Sequence, residues 1–387
     1  MDRRVAVIGI GTTGFRAASP EVSYREMIYE AAVKAYSDAG LAPDQIGSFI
    51  ACSEDISEGT SIFDEYCPDQ IGGARRPVHS VSGDGLHGII TAAMNIQTGL
   101  FETALVECHS KVSNCIDPVE IMNYALDPIY NRPLGEHPEF IAGLEMRRYL
   151  YESKAQPKDC AAVVQKNRAH ALKNPWAAYP ANLELEEIQD SPATFDPLRE
   201  IDRAHHADGA SVVILASADW VKKNRVKNPV WVKGMGWISE DPGLEMRPWG
   251  RSIATQKAAK MAYKQAGIRS PRSEIDFAEV DDTYSYKELQ HLEDLWFFPL
   301  GGAAKAVRSG LTRSDGKFPV NVSGGCLGMG NAAEASGLQR VLEIVTQLRG
   351  EAGVRQLKRV RQAVAQSWRG IPTTSCAVAV LSKGVNS

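Results

Sequence analysis

Val5-Ala6-Val7-Ile8-Gly9-Ile10-Gly11 is answered 225 positions later by Val230-Trp231-Val232-Lys233-Gly234-Met235-Gly236. The stretch from Ala31 to Leu41 (AAVKAYSDAGL) is answered 227 positions later by Ala258 to Ile268 (AAKMAYKQAGI), so the register barely drifts. Val81-Ser82-Gly83 is matched again by Val322-Ser323-Gly324. A repeat of this length means two related half-domains. Such halves pack about a pseudo-twofold axis and place a site where they meet. The expected boundaries are 1–225 and 226–387.

Each half opens with a β-rich run ending in glycines. A helix with alanines and aliphatic residues at helical spacing follows, Tyr24 to Ala39 and Ser252 to Ala266. Both stop at a glycine, Gly40 and Gly267, as a left-handed C-cap requires. Short strands come next, Ser48 to Cys52 and Phe277 to Val280. The glycine-rich turns Ser80 to Gly88 and Asn321 to Gly330 then lead into helices of small residues, Ile89 to Gln97 and Ala332 to Leu348. Ala210 to Ala216 and Ser375 to Leu381 are unbroken small or β-branched runs, as strands buried on both faces require. Strand–helix alternation predicts an α/β fold with mixed sheets. The first half carries an insertion, about 114–202, with no counterpart in the second. It reads as a cap over the sheet or as a substrate lid.

At 387 residues the chain exceeds one ordinary core. A net charge of −4 gives no electrostatic reason to expect nucleic acid or an anionic membrane as partner. No apolar run is long enough to span a bilayer, and Met1-Asp2-Arg3-Arg4 runs straight into a strand. The seven cysteines are scattered without a CxxC pair, which predicts reduced thiols in a cytoplasm and no zinc site within the chain. Gly9-Ile10-Gly11 lacks the third glycine and the acidic residue of a dinucleotide fingerprint. His205-His206 before Asp208-Gly209 reads as a turn, with no third metal ligand nearby in sequence.

Several segments, in order, resemble the sterol-carrier/lipid-transfer type of the thiolase superfamily. In the first half they are Lys166-Asn167-Arg168-Ala169-His170, Asn174-Pro175, Pro197-Leu198 and Asp208-Gly209-Ala210. In the second they are Glu279 to Glu288, Asn321-Val322-Ser323-Gly324-Gly325 and the Gln347 to Gly353 stretch QLRGEAG. The resemblance covers almost the whole chain. It implies a duplicated five-layer α/β/α/β/α thiolase fold, a homodimer, acyl-CoA or CoA as ligand, and carbon–carbon chemistry next to a thioester. It implies no bound cofactor in this chain. Within the family the pattern is closest to thiolases that work with a small zinc-ribbon/OB-fold subunit, such as the benzoylsuccinyl-CoA thiolase of anaerobic toluene breakdown; zinc is then expected only in the partner.

Three positions depart from the family pattern. Counting back from Thr98-Gly99, the cysteine nucleophile falls on Ser82; the first residue of the "HDCF" motif is Asp281, and the His of "GHP" is Asn331. A thiolase needs a thiolate whose pKa is lowered at a helix N-terminus. A serine hydroxyl stays protonated unless a base stands beside it. Three readings follow. The leading one is an acyltransferase with a rearranged site, cleaving or forming a β-oxoacyl-CoA in a degradative pathway, with Asp281 or Asp282 as base, Asn331 in an oxyanion hole and Cys326 as a displaced nucleophile. The second is a CoA-ester retro-aldolase needing only proton transfer and enolate stabilisation; the third is a non-catalytic subunit. His137 joins the site candidates from the insertion. His79 and His87, flanking Ser82, read as bases for it or as surface and capping groups, and Asp84 as a favourable charge at a helix start. Arg132, Lys166 and Arg168, with Gly324 and Gly325, are the expected CoA-binding set, the basic side chains alternatively forming a solvated helix face.

Overall fold

The computed structural model describes residues 3–53, 63–115, 117–241, 243–371 and 374–384. Nine strands form one mixed sheet: β1 Val5–Thr12, β2 Ser48–Cys52, β3 Val78–Val81, β4 Thr103–Ser110, β5 Gly209–Ser217, β6 Val230–Ser239, β7 Phe277–Glu279, β8 Gln362–Arg369 and β9 Ser375–Ser382. Their order is β3-β2-β4-β5-β1-β6-β9-β8-β7. Read outward from the β1–β6 seam, each half repeats the same sequence of strand types. Even the outermost position is echoed, by β3 in one half and by the parallel Ala278–Val320 bridge in the other.

The seam carries the twofold. Val5 pairs with Val232, Ala6 with Trp231 and Val7 with Val230, antiparallel. By the sequence repeat, Val230 and Val232 are the counterparts of Val5 and Val7. Each therefore faces the other's counterpart, and Ala6 faces its own, which is the self-complementary pattern of a twofold contact. The three paired residues at the seam join the strands of the two halves into one continuous sheet.

Helices form the other layers. α1 (Tyr24–Ala39) and α5 (Ile253–Ala266) lie outside the two halves of the sheet, and α2 (Gly85–Gln97) and α8 (Ala335–Arg349) are shared between them. Side chains sort by strand period. Ala6 and Ile8 of β1 face α1, whereas Val5 and Val7 join the central cluster around α2 and α8. On β9, Cys376, Val378 and Val380 face α5, while Ala377, Ala379 and Leu381 face the central helices. The result is the five-layer arrangement α/β/α/β/α.

The paired glycines at the strand ends are contact points between layers. A Cβ on Gly9 would lie 2.6 Å from the Ala35 carbonyl oxygen, and one on Gly11 2.1 Å from that of Ala31. Their counterparts Gly234 and Gly236 meet Ala262 and Ala258 at 2.0 and 2.2 Å. The GxG motif is therefore a seat for the helix backbone, and the small residues of the helix and strand form one packing unit.

The insertion folds into several helices, chiefly α3 (Glu139–Ser153) and α4 (Pro157–Ala171). It belongs to the first half by sequence, yet Ala142, Met146, Val163 and Val164 pack in the second half's outer core with Leu289 and Val307. Among the described residues no helix is long and apolar enough to cross a membrane.

Candidate active site

A cavity of about 250 Å³ opens where the halves and the insertion meet. The helix α6 (Ser285–Asp294) begins beside it. The short helix α7 (Gly325–Met329) lies behind it, after the glycine turn. Asp281 and Tyr284, just ahead of α6, both line the cavity, as do Asn331 after α7 and Ser336 and Arg340 on α8.

Arg340 is the hub. Its Nη2 donates to Asp281 Oδ2 at 2.6 Å and to Cys326 Sγ at 3.0 Å, and its Nη1 donates to Ser367 Oγ at 2.9 Å. Nη1 also lies 3.8 Å from Asp84 Oδ2. Burial opposes a charge here, but the acceptors around it, the Cys326 sulfur and the Asp281 and Asp84 carboxyl groups, hold the guanidinium protonated, above its ordinary value. Asp281 also accepts from Thr283 N at 3.0 Å. It is thus a buried carboxylate oriented by a cation and a backbone amide.

Tyr284 is 4% exposed. Burial, reinforced by the charge of Glu139, raises its phenol well above the ordinary tyrosine value. The phenol therefore stays protonated and offers a proton to the cavity. Glu139 pairs with Arg203 Nη1 at 2.7 Å, and both line the wall. The Asn331 side-chain oxygen accepts from Ala333 N at 3.2 Å, which leaves the amide nitrogen as its donor.

The predicted residues divide. Asp281 and Asn331 line the cavity. Ser82 is exposed and sits outside it: α2 starts at Gly85, with Asp84 as N-cap accepting from Leu86 N at 3.0 Å. Asp84, not Ser82, reaches the cavity at this helix start. His87 bonds Asp84, its Nδ1 3.2 Å from Oδ1. Cys326 lies beneath Arg340, and burial pushes its thiol up to about 12, so it is protonated near neutral pH. Asp282 is wholly buried, accepting from Cys326 N at 2.5 Å and Asn167 Nδ2 at 2.7 Å; burial, then Glu288 and Asp281, push it up to about 7. His137 accepts from Glu139 N at 3.1 Å and packs on Phe195, so Glu139 is the member of that motif that faces the cavity.

The expected CoA-binding residues do not gather at the cavity. Lys166 Nζ is buried against Glu288 at 3.1 Å and donates to the Val320 carbonyl at 3.0 Å. Arg132 Nη2 donates to the Tyr124 and Leu126 carbonyls. Arg168 lies over the Tyr179 ring. Gly324 and Gly325 have φ of +112 and +58, and a Cβ on Gly325 would lie 2.2 Å from the Asp282 carboxylate. The glycine loop is shaped to seat Asp282.

Sequence reasoning missed Arg340, Tyr284, Glu139 and Arg203. It also missed Cys115, a half-buried thiol on the cavity wall just inside the insertion. The one available signal was the DDTY motif itself, whose fourth residue reaches the same cavity as its first.

Comparison with known proteins accords with this geometry. A family profile described as "Thiolase C-terminal domain-like" matches residues 241–383. The acetyl-CoA acetyltransferase of Methanothermobacter thermautotrophicus is 32% identical over 364 residues, covering 92% of this chain and 94% of that protein. The chain belongs to the thiolase superfamily, in its sterol-carrier type. Among these thiolase relatives, benzoylsuccinyl-CoA thiolase subunit BbsB of Thauera aromatica is 31% identical over 208 residues, 54% of each chain. A solved structure described as an "Ltp2-ChsH2(DUF35) aldolase" superposes with a TM-score of 0.84 at 25% identity, covering 98% of both chains. The five layers are those of the thiolase fold. The chain is thus similar over almost its whole length to an acetyl-CoA acetyltransferase.

Proposed function

We propose that this thiolase-superfamily protein is a CoA-ester aldolase, cleaving a β-hydroxyacyl-CoA without a covalent acyl-enzyme. This was the second reading of the sequence. The observation that carries it is the Asp281–Arg340 salt bridge standing with a protonated Tyr284 phenol in one cavity. The positions that would supply a thiolase nucleophile do not do so: Ser82 stands outside the cavity, and the Cys326 thiol is buried and protonated. The overall likeness to an aldolase over 98% of the chain supports the same reading.

The step runs as follows. Asp281 takes the proton of the β-hydroxyl. The new oxyanion collapses to a carbonyl, and its electrons break the Cα–Cβ bond. An aldehyde or ketone leaves, and the pair on Cα becomes the enolate of a shorter acyl-CoA. The Asn331 amide donates to the thioester oxygen as charge develops; Tyr284 protonates Cα, and its phenolate then recovers the proton that Asp281 took, so both groups return to their starting states.

A second reading, thiolase-type acyl transfer, rests on Cys115, whose thiol lines the wall, and on the acetyltransferase and BbsB relatives. Free CoA separates the two. An aldolase releases a carbonyl product from a β-hydroxyacyl-CoA with no CoA added, whereas a thiolase consumes CoA and a β-oxoacyl-CoA. Carbonyl release that stops in Tyr284→Phe and persists in Cys115→Ser supports the aldolase. CoA-dependent cleavage lost in Cys115→Ser, with an acyl adduct on that residue, overturns it.

Two relatives, BbsB by its designation as a subunit and the aldolase by its pairing with a DUF35 protein, support a small partner subunit for this chain. We also propose a homodimer formed through β3, the half-exposed terminal strand of the sheet.

A further inference from the structure

On the outer face of β4, the period-two pattern of an apolar strand is broken. Leu105 faces the α1 layer as expected, and the next two residues on the same face are Glu107 and His109, both fully buried. Cys67, fully buried at the start of the short helix Pro68–Ile71, completes a group. One ligand atom from each of Cys67, Glu107 and His109 lies within 4.8 Å of the others. Tyr24 stacks on the His109 ring at 5.5 Å and Phe63 meets it edge-on at 4.9 Å, so the surroundings are aromatic and apolar.

The electrostatics of this group are incomplete. Glu107 Oε1 stands 2.8 Å from His109 Nδ1. Its other oxygen, Oε2, has no hydrogen-bond donor among the described residues, although the side chain is 0% exposed. A buried carboxylate oxygen without a donor is costly. A divalent cation would satisfy it, and the charges would close: a thiolate, a carboxylate and a neutral imidazole sum to −2, which one dication neutralises.

We propose that Cys67, Glu107 and His109 form a binding site for a zinc-class divalent cation. A soft sulfur, an imidazole and a carboxylate oxygen are a set that zinc accepts, with a fourth position left open. Sequence reading excluded zinc because no CxxC is present. Here the ligands come from a strand at i and i+2 and from a helix forty residues earlier, a spacing no local motif records. The site fastens the helix after Cys67 to β4. The opposite face of β4 carries Cys108, against which Gly85 starts α2. The cation thus braces, through one strand, the helix start whose N-cap Asp84 lines the active cavity.

The test uses Co²⁺ and Zn²⁺ added to full-length protein stripped with a chelator. Wild type is expected to bind one Co²⁺ per chain with a thiolate-to-cobalt charge-transfer band, and Zn²⁺ is expected to displace it and raise the Tm. Cys67→Ser is expected to lose the band, and Glu107→Gln, which preserves shape, to lose the Tm rise while remaining folded by circular dichroism. Equal Co²⁺ uptake by wild type and Cys67→Ser, or a Zn²⁺-dependent Tm rise retained in Glu107→Gln, would overturn the site.

Discussion

The Arg340 guanidinium meets the Asp281 carboxylate at 2.6 Å, joining the helix shared by both halves to the loop that opens α6. Because both groups are buried, the pair fixes the charge pattern of the cavity as well as its shape. Replacing Arg340 with Met leaves Asp281 and Asp84 without their cation. Removing one partner of a buried pair costs roughly 3–5 kcal/mol. The urea midpoint should fall accordingly, and Arg340→Lys should recover part of the loss. An unchanged midpoint would mean the carboxylates are protonated or hydrated without Arg340.

Tyr284→Phe should leave the fold and CoA binding intact and reduce kcat for β-hydroxyacyl-CoA cleavage by roughly 10²–10⁴-fold, the usual worth of a positioned acid. The split between kcat and KM is the readout. A rise in KM alone would make Tyr284 a wall of the pocket.

Asp282 titrates against the fold. Its folded pKa, about 7, stands above the ordinary aspartate value, so the folded state holds a proton that the unfolded chain gives up. The stability linked to that proton is fully present below about pH 4 and is lost as pH rises toward 7. Asp282→Asn removes this titration. Measured by urea unfolding, wild type minus variant should therefore move in the variant's favour between those limits. A difference that is flat with pH would place an ionised Asp282 in the folded protein.

Gly234→Ala should destabilise by roughly 1–3 kcal/mol through overpacking, since its Cβ would sit 2.0 Å from the Ala262 carbonyl oxygen. The equivalent change at Gly9 should cost a similar amount. A silent Gly234→Ala would show that α5 can lift away from β6 without penalty.

The duplication was legible because its cause is local. Glycines on a strand and alanines at four-residue spacing on a helix must recur together wherever a helix backbone rests on a strand, and both offsets reappear in the contacts of Gly9, Gly11, Gly234 and Gly236. The site was only half legible. Asp281 and Asn331 could be found because glycines and motif neighbours mark their loops. Arg340 could not, because an arginine in a long helix reads as solvent-facing and nothing in its neighbours records that α8 is buried between two sheet halves. Lys166 and Arg132 failed for the converse reason: their charges are visible in sequence, but the Glu288 carboxylate and the Tyr124 carbonyl that engage them are not. Ser82 was located by counting, and the helix begins three residues further on, at Gly85.

The seam at Ala6 and Trp231 bears on how the chain can be divided. The exposed turn between Asn224 and Asn228 is the covalent link between the halves, but α2 and α8 each contact strands of both. Severing that turn would yield two fragments, each with one naked face of a shared helix layer. Neither should be soluble by itself, and co-expressed they should reassemble into a single working molecule. The protein is in this sense a dimer whose two subunits have been tied together by a surface loop.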